Sequence, residues 1–322
     1  MKVLVTGASG FIASKVCEQL LEQGIEVVAI DNMNDYYDVS LKEFRLSELE
    51  KKKGFHFYRG DIENFLFLEQ IFKAHEFACV YNLAARAGVR YSIENPDIYV
   101  STNMQGNLNL LKLSAEYKTK KFILASTSSL YAGKEMPFLE SLDVSEPISP
   151  YASTKKGAET MCYTYHHLYG VDVSIVRYFT VYGPLSRPDM AQLRFMKWID
   201  ENKTIQLFGD GNQARDFTHV SDIARGTIAA QKKLGFEIIN LGGGNHPISI
   251  NTMIESYEKL LGKKSDIQHL PFNKADMLTT WANIEKAKKL LNWEPKISFE
   301  KGLEDCVSHY MANKDFYLKI KL

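Results

Sequence analysis

The chain has 322 residues, of which 45% are hydrophobic and 24% charged, as is ordinary for a globular enzyme of one or two domains. Its 39 basic and 39 acidic residues balance to a formal net charge of zero, so no basic excess favours nucleic acid as a partner. No basic, apolar leader opens the chain and no apolar run approaches the roughly 20 residues of a membrane span, which predicts a cytoplasmic protein without a membrane partner.

The first elements are a strand, a glycine turn and a helix. Residues 3–5 form an apolar run without polar alternation, as in a strand buried on both faces of a parallel sheet. From 11 to 23 the apolar residues recur at helical intervals, and Gly24 ends the run. Gly7 and Gly10 lie between the two, where a diphosphate can approach the free N–H groups of the helix. A turn that only packs helix on strand is the alternative interpretation.

A second buried strand, residues 27–30, ends at Asp31, about 20 residues after the glycines. A carboxylate at this place can bond a ribose 2′-hydroxyl and would repel a 2′-phosphate, which favours NAD over NADP. The segment 32–54 begins as a polar, aromatic loop and continues as a charged helix. Residues 55–62 then predict a strand that ends at Asp61, which with Ile62 can flank an adenine ring.

Further buried strands are predicted at 77–85, 121–127 and 171–178, with a helix from about 97 to 117. Alternating strands and helices indicate an α/β fold, a doubly wound parallel sheet of the Rossmann type. Beyond Tyr178 the alternation weakens, although helices are predicted near 221–233 and 249–261 and a strand in the segment 237–244. We expect an NAD-binding domain of 1–178 and about 217–243, and a smaller mixed α/β substrate lobe of about 179–216 and 244–322.

Chemistry-bearing side chains follow the predicted strand 121–127. Tyr151 and Lys155 stand four apart on a predicted helix and so share a face. A cation or the nicotinamide must stabilise a phenolate before a tyrosine can act as a base near neutral pH. Hydroxyls of residues 126–129 lie just past the sheet edge. For the tyrosine and lysine, the alternative is a pair on the protein surface. For the hydroxyls, the alternative is a role in turns and helix caps.

The four cysteines, Cys17, Cys79, Cys162 and Cys306, show neither metal-ligand nor redox-pair spacing. Buried, reduced thiols and no metal site are therefore expected.

In this chain order, the features resemble the extended short-chain dehydrogenase/reductase family, within it the NAD-dependent nucleotide-sugar epimerases and dehydratases, from Met1 to about Trp293. The segments 31–46, 82–92, 177–191 and 279–287 are similar to UDP-glucuronate 4-epimerases, which interconvert UDP-glucuronate and UDP-galacturonate. The resemblance implies a homodimer that joins through the helices near 97–117 and 151–169.

The resemblance also implies roles for individual residues. Tyr151 would be the base, Lys155 would bind the nicotinamide ribose, and Thr127 would bond the reacting 4-hydroxyl. The implied NAD contacts are Gly7, Gly10, Phe11, Ile12, Asp31, Asn32, Asp61, Ile62, Leu83, Ala84, Ala85, Asn103, Ser126, Tyr151, Lys155, Tyr178 and Val181. The implied UDP-sugar contacts are Arg90, Thr127, Ser128, Ser129, Thr180, Arg187, Arg215 and Asp276. For each of the three arginines, the alternative interpretation is a solvated charge on the protein surface.

Two departures from the family pattern concern small residues. Ala13 stands where a third glycine is usual, and Ala132 follows Tyr131 where relatives usually have glycine. Neither position carries a reacting group, so both bear on cofactor affinity more than on function.

Three other functions remain open. A decarboxylase or 4,6-dehydratase of this family would carry an acidic residue at the place of Ser128 or Ser129. An epimerase for neutral sugars such as UDP-glucose or UDP-N-acetylglucosamine would commonly have Asn at the place of Thr180. A non-catalytic NAD-binding regulator would not need the set Thr127, Tyr151 and Lys155.

Overall fold

The computed structural model describes residues 1–272 and 277–322. The strands are β1 (Lys2–Thr6), β2 (Glu26–Asp31), β3 (Phe55–Arg59), β4 (Cys79–Asn82), β5 (Lys121–Thr127), β6 (Asp172–Tyr178), β7 (Thr180–Tyr182), β8 (Ile205–Phe208), β9 (Ala214–Arg215), β10 (Phe217–His219), β11 (Phe236–Leu241), β12 (Ile248–Ser249) and β13 (Ile267–Leu270). The helices are α1 (Phe11–Glu22), α2 (Val39–Glu50), α3 (Phe65–Ala74), α4 (Val89–Glu94), α5 (Pro96–Tyr99), α6 (Asn107–Glu116), α7 (Pro150–Tyr169), α8 (Ala191–Asp200), α9 (Val220–Ala229), α10 (Ile250–Leu261), α11 (Glu285–Leu291), α12 (Phe299–Ala312) and α13 (Lys314–Lys319).

One parallel sheet organises the chain. Its strand order is β3-β2-β1-β4-β5-β6-β11, and every neighbouring pair is parallel. The order reverses between β1 and β4, so a crevice opens there at the carboxyl ends of the strands. The predicted doubly wound parallel sheet is confirmed.

Both faces of this sheet are covered, which explains the unalternating apolar strands. Val3 and Val5 pack with α1 and α9 in one cluster, whereas Leu4 between them packs with α3 and α6 in another. All three side chains are 0% exposed. Alternate residues of β1 therefore serve opposite cores, as a central parallel strand requires.

A third apolar cluster lies outside the sheet and joins α8, α10, α12 and α13 with Tyr182 and Phe217. The short parallel pair β8 and β13 contributes Ile205 and Leu207 to it. The stretch from Ala282 to Trp293 packs instead with the cluster of α1 and α9 on the sheet, called the sheet cluster below. The indole Nε1 of Trp293 donates to the Asp222 carbonyl at 2.9 Å.

Two predicted elements have different bounds in the structure. The predicted helix 97–117 is split into α5, a π-helical stretch Val100–Gly106 and α6. A Cβ at Gly106 would lie 2.5 Å from Ile62, so this stretch passes unusually close to its neighbour. Strand β3 ends at Arg59 rather than at Asp61, because the Asp61 carboxylate accepts from the Glu63 N–H at 2.9 Å in a turn.

The four cysteines are buried and free, as predicted. Within residues 1–272 and 277–322, no helix combines the length and the apolar character needed to cross a membrane.

Candidate active site

A cavity of about 450 Å³ opens at the carboxyl edge of the sheet. The turns after β1, β2, β4 and β5 line it, together with α7 and residues 178–190. Its volume lies in the usual range for small-molecule sites, about 300–1,000 Å³. The fold therefore brings together segments that are more than 100 residues apart in sequence.

The glycine turn lies at the start of α1. Gly7 has φ +68, and a Cβ there would lie 2.8 Å from the Ala84 backbone, so only glycine fits. Gly10 is the N-cap of α1 and gives it no side-chain cap. The first N–H groups of the helix thus remain available for a diphosphate, which is the arrangement that a dinucleotide needs.

Asp31 is fixed at the rim of the cavity by two backbone donors. Ser9 N–H donates to its Oδ2 at 3.1 Å and Met33 N–H to its Oδ1 at 2.8 Å. Asn32 donates from Nδ2 to Asp61 Oδ2 at 2.7 Å, so the ends of β2 and β3 form one polar wall. Hydrogen-bonding groups of this kind suit the ribose and adenine of a dinucleotide.

Two cations of the cavity wall were not predicted. Lys42 of α2 donates from Nζ to the Asn34 carbonyl at 2.7 Å, and Arg86 donates from Nη1 to Asn34 Oδ1 at 3.2 Å. Burial lowers the pKa of Lys42, while Asp31 opposes that shift. The sequence of 39–50 is typical of a charged, solvent-exposed helix. Its buried face includes basic side chains, so no periodic run of apolar residues identifies that face.

Tyr151 and Lys155 enter the cavity from the first turns of α7. Pro150 occupies the first turn and the Ser149 hydroxyl accepts from the Ala152 N–H at 3.2 Å, which fixes the helix start. Burial raises the pKa of the Tyr151 phenol, whereas its hydrogen bond with Thr127 lowers it. The predicted tyrosine and lysine thus share the helix face that lines the cavity.

The electrostatic surroundings of Lys155 come from deeper in α7. Burial lowers the pKa of Lys155 to about 8, and the Glu159 carboxylate acts in the opposite direction. Glu159 is held by Arg177 through two bonds, from Nε at 2.9 Å and from Nη2 at 2.7 Å. Ser126, a predicted cofactor residue, also donates to Glu159 at 2.6 Å, so its hydroxyl makes a hydrogen bond within the protein.

Neutral hydroxyls surround the end of β5. Thr127 Oγ1 donates to Ser129 Oγ at 3.1 Å. Within the described part of the chain, the hydroxyls of Ser128 and Thr180 make no hydrogen bond, and both side chains line the cavity. Both hydroxyls are therefore available to a polar ligand in the cavity that Tyr151 also lines.

Two predicted arginines reach the cavity. Arg187 is paired with Asp189 through Nε at 2.9 Å and Nη2 at 2.6 Å, and its charge lowers the pKa of Tyr151. Arg215 donates from Nη1 to the carbonyls of Ala214 at 2.9 Å and Leu278 at 3.1 Å. Both guanidinium groups are thus oriented by the protein, as anion recognition requires.

Most of the predicted site residues line this one cavity. They are Gly7, Gly10, Phe11, Ile12, Asp31, Asn32, Asp61, Ile62, Leu83, Ala84, Ala85, Ser126, Thr127, Ser128, Ser129, Tyr151, Lys155, Tyr178, Thr180, Val181, Arg187 and Arg215. The hydroxyl of Tyr178 bonds Thr227 Oγ1 at 2.8 Å.

Two predicted site residues lie outside the cavity wall, and a third lies outside the described residues. Asn103 is outside the cavity wall, because its amide bonds the Arg86 backbone and the Thr154 hydroxyl. Arg90 is also outside it and lies over the Phe208 ring at 4.2 Å. Asp276 falls outside the described residues.

The two departures from the family pattern cause no visible strain. Ala13 is 3% exposed and packs in the sheet cluster, and Ala132 has φ −52, which any L-residue adopts.

Charge in the cavity is strongly one-sided although the chain is neutral. Among the described lining residues, five are cationic and two are acidic, an excess of three positive charges. The cations are Lys42, Arg86, Lys155, Arg187 and Arg215, and the acids are Asp31 and Asp61. Both acids lie at the end near β2 and β3, so the region around Thr127 suits an anionic ligand.

Comparisons with known proteins agree with this geometry. The family model described as GDP-mannose 4,6 dehydratase matches residues 4–306. A UDP-glucuronate 4-epimerase of Thermodesulfobacterium geofontis is 58% identical over 319 residues, which is 99% of either chain.

Solved structures are similar over nearly the whole chain. UDP-glucuronic acid 4-epimerase from Bacillus cereus, in complex with UDP-glucuronic acid and NAD, is 39% identical with a TM-score of 0.90, covering 97% of this chain and 99% of that one. A UDP-glucose 4-epimerase from Thermotoga maritima, with UDP-glucose, is 31% identical with a TM-score of 0.89, covering 98% and 100%.

Proposed function

The chain belongs to the short-chain dehydrogenase/reductase family of NAD-dependent nucleotide-sugar epimerases and dehydratases, and from this membership we propose that it is a UDP-glucuronate 4-epimerase. It interconverts UDP-glucuronate and UDP-galacturonate through a transient 4-keto intermediate. The observation that carries the proposal is the 58% identical relative, which shares the full length of the chain.

NAD is the cofactor, and the glycine turn, the free first turn of α1 and the fixed Asp31 fit it. When bound, it would supply reversible hydride transfer at C4 of the sugar. We propose that the Asp31 carboxylate accepts from the adenosine ribose, and Lys42 with Arg86 adds positive charge to the same cavity wall.

We propose that Tyr151 takes the proton of the 4-hydroxyl. Its hydrogen bond with Thr127 and the charge of Arg187 both favour the phenolate that this step needs. The Lys155 ammonium adds positive charge on the same helix face. Because Thr127 hydrogen bonds with Tyr151, we propose that it orients the 4-hydroxyl that Tyr151 deprotonates.

For the uronate carboxylate, we propose the hydroxyls of Ser128 and Thr180 as donors. An acidic side chain would repel that carboxylate, and the described wall carries none near Thr127. This absence also argues against a decarboxylase or a dehydratase, which the sequence left open. For the UDP diphosphate, we propose Arg215, with Arg187 nearer the sugar.

Product analysis tests the function directly. The holoenzyme is incubated separately with UDP-glucuronate, UDP-glucose and UDP-N-acetylglucosamine, and the products are identified by NMR. We expect turnover of UDP-glucuronate to UDP-galacturonate with little UDP-pentose. Turnover of UDP-glucose at an equal rate would refute the proposed specificity.

We propose a homodimer that joins through α7 and the helices between 96 and 116. Apolar side chains on α7 support it, since Tyr163, Leu168 and Tyr169 are 54%, 62% and 61% exposed. Sedimentation of the wild type and of Leu168→Asp tests this, and a wild-type monomer would refute it.

A cytoplasmic location and the division into two lobes are also proposals. Four free, buried thiols support a reducing compartment. The separate cluster of α8, α10, α12 and α13 supports a substrate lobe of about 179–216 and 244–322, from which residues 282–293 depart by packing on the sheet side.

A further inference from the structure

We propose that Arg45 of α2 is a positioning residue that couples the cofactor turn to the loop carrying Arg187. This proposal rests on the proposed function only in taking NAD and a UDP-sugar as the two ligands. Arg45 does not line the cavity, and it is 2% exposed. It therefore acts without lining the cavity, through the groups that it holds and through its charge.

The guanidinium of Arg45 bonds three separate segments. Nη1 donates to the Ser9 carbonyl of the glycine turn at 2.9 Å and to the Tyr37 hydroxyl at 2.7 Å. Nη2 donates to the Leu185 carbonyl at 2.6 Å. Because the guanidinium is planar and rigid, a displacement at Ser9 is transmitted to Leu185.

Arg45 has no ion-pair partner within the described residues. Its three acceptors are neutral oxygens, whereas buried charges are ordinarily paired. This positive charge is bonded to the Ser9 carbonyl, in the turn that we propose for the dinucleotide diphosphate. A bound diphosphate would supply the missing negative charge, so Arg45 favours occupancy of the turn.

Leu185 lies at the other end of the link and is held in an unusual conformation. Its φ is +60, which is unfavourable for a leucine unless its surroundings fix it. Arg45 holds its carbonyl, and its N–H donates to the Tyr317 hydroxyl at 3.1 Å. Two residues further on, Arg187 enters the cavity.

This arrangement gives the two ligands a shared element. NAD stabilises the arrangement of the turn that Arg45 bridges, and the same arrangement fixes the loop that presents Arg187. NAD should therefore raise the affinity for UDP, and UDP should raise the affinity for NAD by the same factor.

Calorimetry of NAD and of UDP, each with and without the other, measures the coupling without any turnover. In the wild type we expect NAD to tighten UDP binding by about fivefold or more. In Arg45→Met we expect NAD to bind about tenfold more weakly and the coupling to vanish. Lys53→Met, an exposed cation in the loop after α2, is the control with the same change of net charge.

Two further variants separate charge from linkage. Arg45→Lys keeps the charge but replaces the rigid pair of Nη atoms, which bond Ser9 and Leu185 separately, by a single Nζ, so NAD affinity should stay within about threefold while the coupling is lost. Tyr317→Phe releases Leu185 from the other side and should remove the coupling at unchanged NAD affinity. Circular dichroism checks the fold of each.

The outcomes are distinct. Absence of coupling in the wild type, or Arg45→Met behaving like Lys53→Met, would overturn the proposal. If Arg45→Met does not fold, wild-type coupling in both Arg45→Lys and Tyr317→Phe would overturn it as well. Coupled binding by a protein that does not epimerise UDP-glucuronate would refute the proposed function and leave the coupling intact.

Discussion

Replacing Ser128 with alanine removes a neutral donor from the place where we expect the uronate carboxylate. Oxidation at C4 puts a ketone β to that carboxylate, and β-keto acids lose CO₂ when the breaking C–C bond aligns with the carbonyl π system. Hydrogen bonds that hold the carboxylate near the ring plane raise this barrier. We therefore expect Ser128→Ala, and likewise Thr180→Ala, to release more UDP-pentose or to bind substrate more weakly.

The size of the effect follows from the burial of the donor. Ser128 is 8% exposed, so little water can replace its hydroxyl. Loss of one hydrogen bond to a charged group costs about 1.5–3 kcal/mol, or about ten- to a hundredfold in affinity or rate. NMR of the product mixture gives the decarboxylated fraction, and initial rates give KM.

A matched variant controls for the loss of a serine hydroxyl as such. Ser145 is exposed and bonds Asp143 away from the cavity, so Ser145→Ala should leave both quantities unchanged. Unchanged KM and unchanged pentose fraction in both Ser128→Ala and Thr180→Ala would refute the carboxylate assignment. A wild type that yields mainly UDP-pentose would refute it too.

Three other predictions concern the cofactor and the base. Because Asp31 repels a 2′-phosphate, NAD should bind far better than NADP, and equal affinities by calorimetry would contradict its assignment. Tyr151→Phe should abolish turnover while NAD binding and circular dichroism persist, and more than a few per cent residual activity would indicate another base. Since the pKa of Lys155 is lowered to about 8, its charge is present below pH 8 and lost above it, so kcat/KM should fall on that alkaline side. Glu159 raises this pKa, so in Glu159→Gln the fall should begin at lower pH; an unshifted pH profile would exclude Lys155 as its origin.

Local sequence patterns predicted the parts of the site that lie within one strand, turn or helix. Gly7 and Asp31 belong to a single strand–helix–strand unit, and Tyr151 and Lys155 to one helix face, so spacing alone relates them. Residue patterns indicated only a cluster of hydroxyls at 126–129, and the family resemblance singled out Thr127 within it.

The parts that sequence missed depend on how distant segments pack. Lys42 and Arg86 reach the cavity only because α2 and the turn after β4 converge on Asn34. Asn103 fixes the Arg86 backbone, which sequence did not indicate, and its contact with NAD stays a prediction. The π-helical stretch before α6 was also missed. The spacing of apolar residues does not distinguish one wider π-helical turn from the α-helix around it.

The four buried cysteines give the chain a set of built-in reporters. Burial raises the pKa of every one of these thiols, so the folded protein should resist alkylating reagents, which attack thiolate. Cys17 lies in α1, Cys79 in β4, Cys162 in α7 beneath Lys155, and Cys306 in α12. The rate at which each becomes labelled therefore measures how often that part of the molecule opens, with no engineered probe.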